Sequence, residues 1–468
     1  MTDDPTKDAA PAYDAIVIGA GQGGVPLARA LAGAGRRTLL IEEKHVGGTC
    51  INEGCTPTKT MVASARVAYL ARRGADYGVR TGPITVDMRR VRQRKRDIVA
   101  SFRGGSEKRI SETPNLTLLP AHARFVAPHI LETTRADGGT QAVRADWIFI
   151  NTGARPAVPS IPGLADVPFL DSTSIMELDA VPDHLLVLGG GYIGLEFGQM
   201  MRRFGSRVTI VQRAPMLLRG EDADICAAMG QIMAEDGVEV ILGTNATRFK
   251  AAGGAIEVVL EGPAGTQRLS VSDLLVATGR VPNTDQLNAA AAGVGLDAHG
   301  FVQVNPRLET TAAGVFALGD VKGGPAFTHI SYDDFRILRT NLLEGGNAVT
   351  TDRIVPYTLF TDPQLGRVGL TEHEARQRGY DVAIATMPMS YVARALEMDE
   401  PRGLMKAVVE RPSGRLLGAA VLGVEGGELM AVLEMAMLGS VPVQLVRDAT
   451  FAHPTLAESL NNLFATLA

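Results

Sequence analysis

The sequence predicts an α/β protein of several domains, with two parallel-sheet units that each open as strand, glycine-rich turn and helix. Three observations predict it. At 468 residues the chain is too long for one hydrophobic core, so two to four domains are expected. The stretch DAIVIGAGQGG (14–24) runs from an apolar strand into Gly19-x-Gly21-x-x-Gly24. The same order returns at LLVLGGGYIG (185–194), with Gly189, Gly191 and Gly194.

Each piece of the first unit has a physical task. Ala15 to Ile18 reads as a strand, Val25 to Gly35 as a helix, and Thr38 to Ile41 as a second strand that ends in Glu42. Gly19 permits a tight turn, Gly21 lets backbone approach a pyrophosphate, and Gly24 lets helix and strand pack closely. The helix N-terminus favours phosphate charge, and Glu42 can accept from ribose hydroxyls. Strand, glycines, helix, strand and terminal acid in register make a Rossmann-like dinucleotide site. The second unit repeats the pattern, but its strand Val208 to Val211 ends in Gln212-Arg213, with Arg219 six residues on. An acid there suits the free 2′-hydroxyl of NAD, whereas arginines suit the 2′-phosphate of NADP, so NADP is expected over NAD.

Three further segments fit this plan. VFALGD (315–320) is an apolar strand that ends in Gly-Asp and places Asp320 to hold a ribityl hydroxyl. IFINTGARP (148–156) and LLVATGRVPN (274–283) each end a strand at Thr-Gly, at Gly153 and Gly279. They read as the crossings between one nucleotide domain and another inserted within it.

Composition excludes several classes. A net charge of −5 invites neither nucleic acid nor an anionic membrane. The one basic run, RRVRQRKR (89–96), reads as a solvated helix face. The opening MTDDPTKDAAPAYD has no apolar h-region, so residues 1–11 are expected to form a disordered tail and not a signal peptide. No apolar run is long enough to span a bilayer, and a cytoplasmic location is expected.

The chain has three cysteines, and two of them fall in GGTCINEGCTPTKT (47–60). In the cytosol a structural disulfide is disfavoured, so Cys50 and Cys55 read as redox-active or metal-binding. Metal binding needs further ligands at short spacing; none is nearby, so redox chemistry is expected and no metal. Cys226, in the helical stretch ADICAAMGQIM, is expected to be a bystander. FAHPTLAESLNNLF (451–464) carries His453 and Glu458. A histidine is a natural acid or base for a thiol, and Glu458 can orient its ring.

With these motifs the chain resembles the flavoprotein pyridine nucleotide–disulfide oxidoreductases, which include lipoamide dehydrogenase, glutathione reductase and mercuric reductase. The likeness runs from Tyr13 to the C-terminus. It implies an FAD-binding domain at 12–155 and 279–345, an NAD(P)-binding domain at 156–278 and a C-terminal α+β dimerisation domain at 346–468. It implies a homodimer whose active site is shared across the two-fold, with His453 reaching the cysteines of the other subunit. Cys50 and Cys55 would form a disulfide that breaks and reforms in each turnover. Cys55 would be the charge-transfer thiolate and Cys50 the thiol that attacks substrate. Gly48 and Thr49 would lie against FAD. Lys59 would approach the flavin and pair with Glu196. Tyr192, followed by Ile193, would gate the flavin where nicotinamide stacks.

Motifs divide this family by substrate. Mercuric reductases carry a vicinal cysteine pair near the C-terminus, a tyrosine in place of the histidine and an N-terminal metal-carrying domain. Lipoamide dehydrogenases carry an acid after the second nucleotide strand. This chain shows none of these. GGTCIN, FTHISYDDFRIL (327–338), ARALEMDEPRG (393–403) and FAHPTLAESLNNLF resemble a bacterial branch tied to reactive-chlorine resistance. Its members reduce hypothiocyanous acid, and copper(II) reduction is also described for it. The expected reaction has the Cys50 thiolate attacking electrophilic sulfur, thiocyanate leaving and Cys55 resolving the adduct. Glu53 departs from that branch, where a hydrophobic residue is common. The alternatives are a metal-ion (mercury or copper) reductase, a dihydrolipoamide dehydrogenase and a low-turnover flavoprotein redox sensor.

Overall fold

The structure is a computed structural model that describes residues 10–467. Of the expected N-terminal tail, residues 1–9 lie outside the described residues. The chain divides into two compact units. One comprises residues up to Thr60, Gln93–Ala157 and Gly279–Arg353; the other comprises Met61–Arg92, Val158–Thr278 and the chain from Ile354 onward.

The first unit holds a seven-stranded sheet. Leu116–Pro120, Thr38–Glu42, Ala12–Ile18 and Thr140–Ile150 run parallel in that order, and Val315–Ala317 joins the last of them in parallel. Ile130–Thr134 and His122–Ala127 extend the sheet antiparallel. The central strands are apolar on both faces because helices or irregular chain cover each side. Ile16, Val17, Leu40 and Phe149 are fully buried, and Phe149 stacks on Phe316 at 5.0 Å. Trp147 pairs with Ala15 across the central strands, and the Arg36 guanidinium lies 3.9 Å over its ring.

The second unit holds a parallel sheet ordered Glu239–Leu242, Arg207–Gln212, His184–Leu188, Asp273–Val276. It also holds a three-stranded antiparallel sheet, Asn245–Ala252, Ala255–Gly262 and Gly265–Val271. The C-terminal part is a five-stranded antiparallel sheet ordered Tyr357–Leu359, Gln364–Gly369, Arg415–Gly423, Leu404–Glu410, Val382–Pro388, with helices Gly426–Leu438 and Ser459–Ala465.

The stretch Met61–Arg92, expected inside the FAD-binding domain, groups with the second unit. Packing explains it: Met61, Ala65 and Met88 are buried in one apolar cluster with Ile175, Leu195 and Phe197. Arg203, a buried cation in the same unit, pairs with Asp236 at 3.1 Å and with Asp362, and its guanidinium lies 3.8 Å over Tyr69.

The basic run lies in helix Met88–Ser111. Arg89, Arg90, Arg94 and Arg96 are exposed, as a solvated face requires. Arg92 and Lys95 turn inward; Arg92 bonds Asp179 at 2.6 Å and Lys95 is buried. Among the described residues no helix is long and apolar enough to cross a membrane.

Candidate functional site

The first glycine turn is built on contacts that exclude a side chain. Gly19 has φ +104°, and a Cβ there would fall 2.3 Å from the Asn151 carbonyl oxygen. Glu42, at the end of its strand, accepts from Ala20 N at 2.8 Å and Lys44 N at 2.9 Å. Asn151 does more for this turn than its motif suggests. Its Oδ1 accepts from Gly24 N and its Nδ2 donates to the Leu318 carbonyl, each at 2.9 Å. One buried amide therefore ties the glycine turn to the turn that carries Asp320.

That second turn is held from below by Asp334, whose side chain is fully buried. Asp334 accepts from Gly319 N at 2.9 Å and meets Lys322 at 3.3 Å and Arg353 at 2.7 Å. Burial pushes the Asp320 carboxyl above its usual range, opposed by the charges of Arg280 and Lys322. Gly153 and Gly279 both take positive φ in the two crossings. Beside them, Thr152 Oγ1 and Arg280 Nε are buried without hydrogen-bond partners among the described residues. Orphaned polar atoms flanking a glycine cradle fit a polar ligand of dinucleotide type.

The cysteine segment packs against this turn. A Cβ on Gly48, at φ +60°, would fall 2.8 Å from Gly21 Cα, so the two backbones touch. Gln22 Nε2 donates to the Gly47 carbonyl at 3.1 Å. Thr49 and Cys50 lie in the short helix Gly48–Asn52, and Cys55 opens helix Cys55–Arg72. Asn52 pins the loop between them: it donates to the Gly48 and Val46 carbonyls and accepts from Arg103.

Neither cysteine is in a disulfide; Cys55 is exposed and Cys50 half-buried. Cys55 Sγ lies 3.4 Å from Thr328 Oγ1. Cys50 is hydrogen-bonded to Cys55, and this bond, burial and the charge of Cys55 push the Cys50 thiol well above its usual range, against the pull of Thr328 and Lys59. A raised Cys50 thiol favours its protonated form. Lys59 sits one turn into the helix that Cys55 opens. Glu53 is half-buried at the end of the short helix.

The second glycine turn repeats the first with one chemical change. Gly189 takes φ +108°, and a Cβ on Gly194 would fall 1.9 Å from the Gly189 oxygen, whereas a Cβ on Gly191 would meet nothing within 4 Å. Gln212 Oε1 accepts from Gly190 N at 3.2 Å, the counterpart of Glu42 on Ala20. The acid's place is thus held by a neutral amide. Arg213 and Arg219 are exposed, and among the described residues neither pairs with a carboxylate. Ile193 packs half-buried on the neighbouring apolar cluster. Glu196 is 7% exposed and accepts from Phe360 N at 2.8 Å. Tyr192 opens helix Tyr192–Phe204, its ring 5.3 Å from that of Tyr357.

In the C-terminal segment His453 Nδ1 lies 2.8 and 3.1 Å from the two Glu458 oxygens. The carboxylate holds the proton on Nδ1 and leaves Nε2 to exchange one. Thr455 Oγ1 donates to the Ala452 carbonyl, and Asn461 clamps the segment to the Val446, Arg447 and Ala449 carbonyls. The His453 side chain is 69% exposed. Cys226 is 5% exposed, and burial and nearby carboxylates push its thiol up to about 11, which leaves it inert. Among the described residues no group of three or more His, Cys, Asp or Glu is placed to hold a metal ion.

Two family models match the chain: pyridine nucleotide-disulphide oxidoreductase over residues 13–334, and the dimerisation domain of the same family over 355–464. The chain belongs to the pyridine nucleotide-disulphide oxidoreductase family. FAD and a pyridine nucleotide are the cofactors of this family, and its dimerisation domain marks a homodimer. The chain is 40% identical to the probable pyridine nucleotide-disulfide oxidoreductase RclA of Escherichia coli over 97% of its length and 99% of the relative's. It is 35% identical to a dihydrolipoyl dehydrogenase of Thermus scotoductus over 96% of both chains. It is 32% identical to a mercuric reductase of Bacillus cereus over 96% of this chain and 70% of that one. Among solved structures, the Cu(II) complex of the HOCl-induced flavoprotein disulfide reductase RclA from Escherichia coli aligns with TM-score 0.89 at 39% identity, over 98% of this chain and all of that one. The chain is therefore an enzyme of the flavoprotein disulfide reductase type.

Motif reading missed Asn151, Asp334 and Thr328. All three lie in segments singled out by sequence, INTGARP and FTHISYDDF. A buried amide or carboxylate that serves a turn distant in sequence leaves no local periodic signal.

Proposed function

We propose that this enzyme uses NADPH to reduce a small electrophilic sulfur oxidant, with hypothiocyanous acid as its substrate. The observation that carries this reading is the asymmetric dithiol: Cys50 is half-buried in its short helix, while Cys55 is exposed at the start of the next helix, 3.4 Å from Thr328 Oγ1. The family likeness supports it, as does the relative RclA, which is HOCl-induced.

Bound FAD would supply two-electron chemistry between the nicotinamide and the Cys50–Cys55 disulfide. Glu42, Asp320 and the Gly19–Gly24 turn would hold it, with Gly48, Thr49 and Lys59 along its reacting side. Gly189–Gly194 would hold the pyridine nucleotide, with Arg213 and Arg219 on the 2′-phosphate. In the reduced enzyme Cys50 needs a base. His453 of the second subunit supplies it, and Glu458 keeps Nδ1 protonated so that Nε2 takes the Cys50 proton. The Cys50 sulfur attacks the sulfur of hypothiocyanous acid. An S–S bond forms, the S–O bond breaks, and hydroxide leaves as water with the proton from His453. The Cys55 thiolate then attacks the Cys50 sulfur, the disulfide forms and thiocyanate leaves. Two thiols are oxidised, and one hypothiocyanous acid becomes thiocyanate and water.

The test is NADPH oxidation by the purified protein with hypothiocyanous acid, set against its background oxidase rate, in wild type and Cys50→Ala. Saturable consumption that disappears in Cys50→Ala is expected. A rate preserved in Cys50→Ala overturns the thiol chemistry. No consumption above background in the wild type removes this substrate and moves the search to lipoyl groups, low-molecular-weight disulfides and metal ions.

A further inference from the structure

Tyr192 is the end of a buried polar chain that the glycine motif does not account for. A hydrogen bond joins the Tyr192 and Tyr357 phenols, whose rings lie 5.3 Å apart and tilted by 41°. Tyr357, on the first strand of the C-terminal sheet, donates its hydroxyl to Glu221 Oε1. Glu221 is 7% exposed; its other oxygen lies 3.3 Å from Arg367 Nε without forming an aligned hydrogen bond. Arg367 is fixed in turn by the Val368 and Ala419 carbonyls at 2.7 and 3.0 Å.

Proton counting gives the chain a direction. An ionised carboxylate only accepts, and a phenol has one proton. Burial pushes the Glu221 carboxyl up, but the Arg367 charge opposes this and favours the ionised form. Tyr357 keeps its proton and donates it in the hydrogen bond to Glu221 Oε1, so its oxygen is left to accept from Tyr192. The last link is the one bond of the chain that breaks when the Tyr192 ring swings aside. Behind it, Tyr357 and Arg367 lie on two strands and Glu221 in the bend before helix Ala223–Glu235, and none of them needs to move.

We propose that Tyr357 and Glu221 are positioning residues that latch Tyr192, so that entry of the nicotinamide breaks the phenol–phenol hydrogen bond and the latch sets nucleotide affinity. This rests on the reading of Tyr192 as the gate. Glu221→Gln is a poor probe, because it leaves Arg367 buried and uncompensated. Tyr357→Phe keeps the ring and removes only the hydroxyl. Tyr192→Phe removes the same bond from the other side without touching Glu221, so it reports even where Tyr357→Phe folds poorly.

The experiment is calorimetric titration of the FAD-loaded enzyme with NADP⁺ for wild type, Tyr192→Phe, Tyr357→Phe and the double variant. A net hydrogen bond lost on entry predicts about threefold to tenfold tighter binding for each single variant. The double variant should gain no more than a single one, because both remove the same bond. Unchanged affinity in both single variants, or additive gains in the double, overturns the latch. Tyr192→Ala separates the two readings, with flavin reduction by NADPH followed in stopped flow beside the titration. If ring removal alters neither affinity nor flavin reduction, the gate falls and the latch with it. If it alters either one while the phenylalanine variants change nothing, the latch alone falls.

Discussion

Asn151 binds two turns with one side chain: Gly24 N on one face and the Leu318 carbonyl on the other. Alanine there leaves a buried donor and a buried acceptor unpaired, each costing about 1–3 kcal/mol. Both lie in turns that would line the FAD site, so Asn151→Ala should lose flavin before it loses fold. The check is the flavin absorbance that stays with the protein through gel filtration, which should drop while far-UV circular dichroism is kept. Retained flavin would mean that the two turns hold their geometry without the amide. At this scale the candidate reactive groups were legible in the sequence. Cys50, Cys55 and His453 are rare residue types in dense local motifs. Asn151, Asp334 and Tyr357 sit outside any dense motif and their partners lie at least 12 residues away, so nothing next to them in sequence announces their work.

Strand Arg207–Gln212 ends differently from strand Thr38–Glu42, though each end side chain accepts from the glycine turn beside it. Glu42 brings a negative charge to its turn and Gln212 brings none. With Arg213 and Arg219 exposed just beyond, the end of the second strand is suited to a phosphate. Arg213→Ala with Arg219→Ala should raise KM for NADPH by about an order of magnitude and leave KM for NADH unchanged. Equal loss with both nucleotides would assign these arginines a general electrostatic role. Strands, glycine turns and first helices were legible because apolar periodicity and glycine spacing are local. The turn of the basic helix was less so. Its charge run predicts a solvated face, yet Arg92 finds Asp179 and Lys95 is buried. Arg92 turns inward because its partner comes from another segment.

Across the whole chain, the second unit uses buried ion pairs to join segments far apart in sequence. Lys406 is 5% exposed and reaches Glu372 at 2.8 Å, Asp224 at 2.9 Å and Asp222 at 3.3 Å. The hydrogen bond from Lys406 holds the Glu372 carboxyl below its usual range. A depressed carboxyl adds stability above its unfolded pKa and loses it as pH falls through the folded value. Lys406→Met should therefore lower Tm most near neutral pH, and the gap from wild type should narrow as pH drops below the carboxylate range. A gap that does not change with pH would show that Lys406 acts by packing alone. Two glycine turns and two Thr-Gly crossings made the two parallel-sheet units legible in the sequence. The grouping of Met61–Arg92 with the second unit was not legible, since it depends on which apolar cluster Met61 and Ala65 enter. Trp147 offers a last consequence. It is the chain's single tryptophan, and it sits on the strand paired with the one that leads into the first glycine turn. Indole emits where oxidised flavin absorbs, so every photon of tryptophan light from this protein comes from one known place beside the proposed flavin site. Its emission lifetime is then an optical gauge of how many molecules in a preparation carry their cofactor, with no label added.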